Sequence, residues 1–258
     1  MIRHISTHHK TGTVFWTKVF NNIQNKHNIN LITISKHKNN FKDIEHLFLV
    51  DKINVILDTH SSLNISELTE YPVCSLHSFR NPAEIIFSAT KYHLITNEKW
   101  ANLPNNKFNG LSYKQQLNNL KTFEEKLGFE MENASFNIIK KMISKLANKN
   151  YYHVSIDSIS TDKYMKNLID IYSHLNIHEF TKLDDTKISI GIWLDFCSNH
   201  CLWNNPNNNH TTSMNPGVVK DNRHVFTNQT KEKFKYLFGE KLYAQTFISN
   251  SFDAIFKS

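Results

Sequence analysis

The segment His8-His9-Lys10-Thr11-Gly12-Thr13-Val14-Phe15-Trp16 follows directly on the apolar run Ile2 to Ser6 and leads into a helical pattern. One lysine, one glycine and two threonines between a strand and a helix gather backbone N–H groups, a cation and hydroxyls about a single point. Such a turn suits a phosphate or a sulfate. It is not the nucleoside-triphosphate loop with two glycines and a lysine directly after the second, because Lys10 precedes Gly12, the turn's single glycine.

A second set of anion-binding types lies in Ser78-Phe79-Arg80-Asn81-Pro82-Ala83-Glu84-Ile85-Ile86-Phe87-Ser88. An arginine at a strand end offers a planar fork of donors, and a serine on the following helix adds a hydroxyl. Taken together, the two segments describe a ligand with phosphates at both ends. Between them, the apolar run Val55 to Leu57 leads through Asp58 and Thr59 to His60, at the end of a strand where ligands of open α/β sheets collect. An imidazole there is a candidate general base, although with 15 histidines in the chain the default for any one of them is a surface role. Cys197, His200, Cys201 and His210 are close in sequence but lack the second well-spaced pair of a structural zinc site, so no metal is expected.

These groups need a scaffold, and the hydrophobic pattern describes one. Ile2 to Ser6, Asn30 to Ser35, Val55 to Leu57, Val73 to Phe79 and Tyr152 to Ile156 read as short strands with connections long enough for parallel crossovers. Thr13 to Lys26 reads as a helix with the stripe Val14, Phe15, Val19, Phe20 and Ile23. Pro82 starts another helix, reaching about His93. Further helices are expected over Tyr113 to Leu127, Ser135 to Leu146, Asp162 to Leu175 and Gln229 to Leu242, with loops over Leu103 to Leu111 and Asn204 to Pro216. Trp193, Phe196 and Trp203 are expected in the core or a pocket wall, and Glu124 and Glu125 on an exposed helix face.

The chain has 258 residues, a length at which α/β folds are routinely single domains, so one domain over 1–258 is expected. A net charge of +7 suits an anionic partner, but the lysines are scattered among asparagines, and no nucleic-acid partner is expected. Three cysteines form no disulfide framework. With no apolar segment of signal-peptide or membrane-span type, a soluble cytoplasmic protein is expected. The oligomeric state is not legible.

Read together, the motifs resemble the 3′-phosphoadenosine 5′-phosphosulfate (PAPS)-dependent sulfotransferases. The family's 5′-phosphosulfate loop runs approximately Pro-Lys-Ser/Thr-Gly-Thr-Thr, and His9-Lys10-Thr11-Gly12-Thr13-Val14 is similar to it. Its 3′-phosphate motif is Arg-Asp/Asn-Pro with a serine eight residues beyond the arginine, a spacing shared by Arg80 and Ser88. Asp58-Thr59-His60 resembles the Lys-Thr-His strand end of the cytosolic branch. Gly217-Val218-Val219-Lys220-Asp221-Asn222-Arg223-His224-Val225-Phe226-Thr227 resembles the family's C-terminal Arg-Lys-Gly-x-x-Gly-x-Trp segment leading into Phe-Thr. The stretch from Ser112-Tyr113 to Glu130-Met131 looks more like the carbohydrate-directed and microbial branches.

The resemblance implies a three-layer α/β/α fold with a central parallel sheet, of the P-loop nucleoside triphosphate hydrolase-like type. It also implies PAPS as co-substrate, no metal, and transfer of a sulfuryl group to a hydroxyl of a glycan, lipid or small alcohol. By this reading Lys10, Thr11, Gly12, Thr13 and Val14 hold the 5′ side, Phe15 stacks on adenine, and Arg80 and Ser88 hold the 3′-phosphate. Gly217 with Lys220 or Arg223 completes that end, Lys10 stabilises the leaving phosphate, and His60 accepts the hydroxyl proton. The chain departs from the pattern at Val14, at Asp58 in place of a lysine, and at Asn215-Pro216 in place of the basic pair. Two alternatives therefore stay open: a non-catalytic protein that binds nucleotides or polyanions, and a P-loop small-molecule kinase.

Overall fold

The computed structural model describes residues 1–27, 29–34, 53–63, 65, 72–160, 164–181, 190–194, 197 and 221–249. The chain divides into two compact units, one of Met1–Phe79 with Ser144–Val219, the other of Arg80–Ile143 with Lys220–Ser258.

The first unit holds a single sheet of β1 (Ile2–Ser6), β2 (Leu31–Ile34), β3 (Val55–Asp58), β4 (Val73–Phe79) and β5 (Tyr152–Ser155). The strands are ordered β2-β3-β1-β4-β5, and each pairing is parallel, as the crossover lengths predict. Strand order reverses about β1, since β2 and β3 lie on one side of it and β4 and β5 on the other. The turn after β1 therefore leaves the sheet at its topological switch point, where ligands of open α/β sheets bind.

Alternation along parallel strands gives the sheet two different faces. Ile5, Val55, Leu57, Leu76 and Val154 lie in one buried cluster with Phe15, Trp16, Val19, Phe20 and Ile23 of helix α1 (Thr13–Lys26). Each such side chain contributes about 1.5–3 kcal/mol when fully buried. The α1 stripe differs from the sequence reading by one residue: Val14 is exposed and Trp16 takes its place in the core. Cys197 and Trp193 also belong to this cluster, with the Trp193 indole N–H donating to the Leu168 carbonyl at 2.8 Å. The opposite face mixes Ile2, Ile56 and Tyr151 with the polar residues His4, Ser6, Asp58, Ser75 and His77, all buried.

In the second unit, α2 (Pro82–Ile95) starts at Asn81, whose side chain accepts from the Ala83 N–H at 2.8 Å. It runs two residues beyond the expected end. A short α3 (Lys99–Asn102), unforeseen in the sequence, follows. The helix expected over Tyr113 to Leu127 is two helices, α4 (Tyr113–Asn119) and α5 (Phe123–Glu132). The break has a local cause, because Thr122 and Glu125 form a capping box that begins a new helix. Helix α6 (Ala134–Leu146) comes next, and its residues from Ser144 onward belong to the first unit.

Within the first unit, α7 (Tyr164–His174) and α8 (His178–Thr181) succeed β5. In the second unit, the helix expected over Gln229 to Leu242 is likewise divided, into α9 (Asn228–Phe238) and α10 (Glu240–Tyr243), because Gly239 sits at φ 89° and stops the first. The loop expected over Asn204 to Pro216 and the residues His200, Cys201, Trp203 and His210 lie outside the described residues, as does Phe196.

Candidate anion site and its polar surroundings

The turn from Thr7 to Gly12 is built on His8. The His8 carbonyl accepts from the Thr11 N–H (3.1 Å), the Thr11 hydroxyl (3.0 Å) and the Thr13 hydroxyl (3.1 Å), while the His8 N–H donates to Thr11 Oγ1 (2.8 Å). Thr11 is fully buried, so its hydroxyl holds the turn together from inside. Ser78 of β4 donates to the Thr11 carbonyl at 2.6 Å and ties the turn to the neighbouring strand. Ser78 stands in the segment the sequence singled out, but its role is visible only in the folded chain.

Lys10 (φ 67°) and Gly12 (φ 97°) both adopt the left-handed conformation. Successive N–H groups about such residues form a concave anion-binding surface. Gly12 is also the N-cap of α1, and without a side chain it makes no side-chain cap there. The helix dipole and its first N–H groups are thus presented at the turn.

A Cβ on Gly12 would stand 2.5 Å from Ile156 Cδ1 and 2.7 Å from Cγ1, in the core. Gly12→Ala combines this overpacking with a left-handed φ, and is expected to destabilise the protein by about 2–3 kcal/mol. Urea unfolding of wild type and variant measures it, and a change below about 0.5 kcal/mol would contradict the packing described. Phe15, given to adenine on the sequence pattern, is 1% exposed and packs edge-to-face on Trp16. Its ring is committed to the core, which leaves no open face for stacking, while Val14 is the exposed side chain.

At the neighbouring end of β3, Asp58 is fully buried. Its carboxylate accepts from the Leu63 N–H (2.8 Å), the Ser62 hydroxyl (3.1 Å) and the His60 N–H (3.3 Å), with His4 Nε2 3.5 Å away. Burial pushes this carboxyl up, but His4 and the Leu63 and Ser62 donors outweigh it and hold the group well below the usual carboxylate range. His60 itself is exposed, in the turn that follows Asp58.

Lys145, near the end of α6, donates from Nζ to Ser6 Oγ (3.1 Å), and Ser6 Oγ is 2.7 Å from Ser61 Oγ. In sequence Lys145 is an ordinary basic residue in the last turn of an amphipathic helix. In the fold it is a cation beside the strand ends. Burial pushes its ammonium down to about 8, against the pull of Asp58. Between pH 8 and the ordinary lysine value the unfolded chain binds this proton and the folded chain does not, so this group makes stability rise with pH there. The expected result is that wild type gains stability relative to Lys145→Met between pH 8 and 10. Urea midpoints across that range measure it, and a constant difference would refute the shift.

In the second unit, Arg80 lies directly before Asn81, and its guanidinium is 3.7 Å from Glu84 Oε2. Glu84 in turn accepts from the Asn222 N–H (2.7 Å) and side-chain amide (2.8 Å). Ser88 is half-buried farther along α2. Arg223 donates to both oxygens of Asp221 and to the Ser249 carbonyl. Gly217 and Lys220 lie outside the described residues.

The second unit also contains a buried network absent from the sequence reading. Glu130 accepts from Tyr113 Oη and Ser135 Oγ and is paired with His93 Nδ1, each at 2.8 Å. Burial first, and then the Glu130 charge, raise the Tyr113 phenol far above its usual value, so it remains a donor. Tyr113 and Glu130 lie at the two ends of the stretch noted for its family resemblance, and the fold joins them directly.

Among the described residues, no group of three or more His, Cys, Asp or Glu side chains is arranged to hold a metal ion, and no helix is long and apolar enough to cross a membrane. No family model and no curated protein matches the chain. Among solved structures, the chain is similar to the crystal structure of mouse sulfotransferase SULT7A1 complexed with PAP. The TM-score is 0.55 at 15% identity, over 99% of this chain and 87% of that one. The likeness establishes the fold, a three-layer α/β/α arrangement about a parallel sheet.

Proposed function

We propose, for a chain that carries the sulfotransferase fold, that it transfers the sulfuryl group of PAPS to a hydroxyl of a glycan, lipid or small alcohol. The observation that carries this reading is the turn at the sheet's switch point, where Lys10 and Gly12 are both left-handed ahead of a helix with no side-chain cap. The PAP held by the mouse neighbour supports the nucleotide class. We take residues 1–258 to act as one sulfotransferase-like domain in the cytoplasm, without a metal.

Lys10 and the N–H groups of Gly12, Thr13 and Val14 would hold the 5′ side, with Thr11 shaping the turn from within. Arg80 and Ser88 would take the 3′-phosphate, joined by Gly217 and by Lys220 or Arg223. Phe15, a core residue, would not take part in holding the adenine. As the acceptor oxygen bonds to sulfur, the bond from sulfur to the 5′-phosphate breaks and its electron pair leaves on the phosphate. Lys10 and the turn's donors stabilise that charge, and His60 takes the hydroxyl proton.

One feature favours a second reading. Asp58 is an ionised carboxylate at the strand end where the family pattern has a lysine, which suits a nucleotide- or polyanion-binding protein that performs no transfer. Calorimetry with PAP and with ATP, followed by a labelled-sulfate transfer assay, separates the readings. Tight PAP binding and transfer are expected. Preference for ATP would overturn the sulfotransferase reading, and PAP binding without transfer to any hydroxyl class would leave the binding protein.

A further inference from the structure

On the polar face of the first unit's sheet, three imidazoles meet end to end. His8 Nε2 is 3.0 Å from His77 Nε2, His77 Nδ1 is 3.0 Å from His153 Nδ1, and His153 Nε2 is 3.0 Å from the Asn148 carbonyl oxygen. Successive rings are nearly perpendicular, at 80° and 86°. His8 and His77 are buried and His153 is half-buried.

Proton arithmetic orders this chain. A carbonyl only accepts, so His153 carries its proton on Nε2 and accepts at Nδ1. His77 must then donate from Nδ1 and accept at Nε2, and His8 must donate from Nε2. One extra proton, placed on His153 Nδ1, does not break the chain. His77 then accepts at Nδ1 and donates from Nε2 to His8, so both contacts between rings survive with their polarity reversed while His153 Nε2 still donates to Asn148. A ring with two exchangeable nitrogens at position 77 does this without moving.

We propose that His77 is a positioning residue of the phosphate-binding turn, acting through His8, and that its imidazole keeps the turn anchored in either polarity of the chain. His8 is the residue whose N–H and carbonyl hold Thr11 and Thr13 in place. Its side chain fastens that hub to β4. The inference rests on the reading of this turn as the nucleotide's 5′ site.

The charged and titratable groups about His77 are His8 from the turn, His153 and Tyr151 from β5 and the residue before it, Lys145 from α6 and His4 from β1, the last beside Asp58 of β3. Burial, then the charges of His8, His153, Lys145 and His4, push His77 well below its usual value. Burial likewise lowers His153, partly opposed by the Asn148 carbonyl. A lowered imidazole contributes stability above the unfolded histidine value and loses it as pH falls through the folded value. The neutral chain is therefore the form at pH 8, and the extra proton enters from the half-buried His153 end only at a pH below the ordinary imidazole range.

The test uses the full chain with His77→Gln and His77→Leu. Glutamine accepts through its carbonyl and donates through its amide, and exchanges the two only by turning the whole amide over. At pH 8 the glutamine variant is expected to bind PAP within about threefold of wild type, and the leucine variant about tenfold or more weakly. Once pH has fallen far enough for the wild-type spectra to show the extra proton on His153, the ratio of glutamine-variant to wild-type affinity should fall by about fivefold or more, because a buried amide must turn over to reverse where an imidazole only moves its protons. Nitrogen-15 imidazole spectra of unliganded wild type should show His77 protonated on Nδ1 and His153 on Nε2 at pH 8.

Equal PAP affinity of all three proteins at pH 8, a constant glutamine-to-wild-type ratio across pH, or His77 protonated on Nε2 at pH 8 would each overturn the proposal. If the leucine variant does not fold, the glutamine comparison and the spectra decide. The spectra need no ligand, so a failure of wild type to bind PAP would count against the proposed function while the chain's proton order is still read independently.

Discussion

Replacing Lys10 with alanine is expected to lower turnover by roughly 100-fold or more, the scale on which one positioned donor stabilises charge developing on a leaving group. The residue's backbone makes the experiment sharper. Lys10 sits at φ 67°, a conformation that glycine adopts at little cost and that alanine shares with lysine as a strained one. Lys10→Gly should therefore equal or exceed wild type in stability, by up to about 1 kcal/mol, while losing activity as fully as Lys10→Ala. A labelled-sulfate assay gives turnover, and urea unfolding gives stability. A folded alanine variant that kept turnover within about fivefold of wild type would remove Lys10 from the charge-stabilising role.

The largest stability effect is expected far from that turn in sequence, at Glu130. This carboxylate is fully buried and serves His93, Tyr113 and Ser135 at once. Glu130→Ala leaves these groups without their common acceptor, and the expected cost is about 3–5 kcal/mol. Glu130→Gln keeps an acceptor oxygen and should recover part of the loss. Trp100, whose ring lies 5.1 Å from both His93 and Tyr113, reports the local transition by fluorescence. A loss below 1 kcal/mol for the alanine variant would mean that the network is dispensable for folding.

Both predictions depend on features that differ in how far sequence exposes them. The Lys10 turn is legible because its chemistry is contiguous: strand, cation, glycine and helix follow one another within a few residues, and local sterics place them. Strand positions were legible for a related reason, since short apolar runs with long connections have few outcomes besides a buried parallel sheet. Helix ends were less so. Hydrophobic periodicity continues through Leu120 and through Gly239, and only the capping box at Thr122 and the left-handed glycine mark the breaks. Those signals are single residues set against a pattern of ten or more. The interchange of Val14 and Trp16 arose likewise, because the first turn of a helix can lean its stripe to either side until a core fills one of them.

The polar face of the sheet was hidden altogether. Val73 to Phe79 reads as an apolar run in which His77 is an interruption, and nothing local tells which residue it will meet. Its partners are His8 and His153, 69 and 76 positions away. Lys145 gave an equally ordinary signal, a lysine at the end of an amphipathic helix, and became a half-buried cation on Ser6 only through folding. Glu130 lies on a helix whose acidic residues read as solvent-facing.

By itself, then, the amino-acid sequence determined the turn proposed to hold a phosphate: a cation and a left-handed glycine stand between a strand and a helix, and neighbouring residues cannot avoid one another. Tertiary structure alone decided what surrounds that turn. The imidazole chain anchoring His8, the lysine beside Asp58 and the burial of Phe15 all bring together residues that only long-range packing makes neighbours. A cost or gain that depends on such burial does not exist until the core has formed.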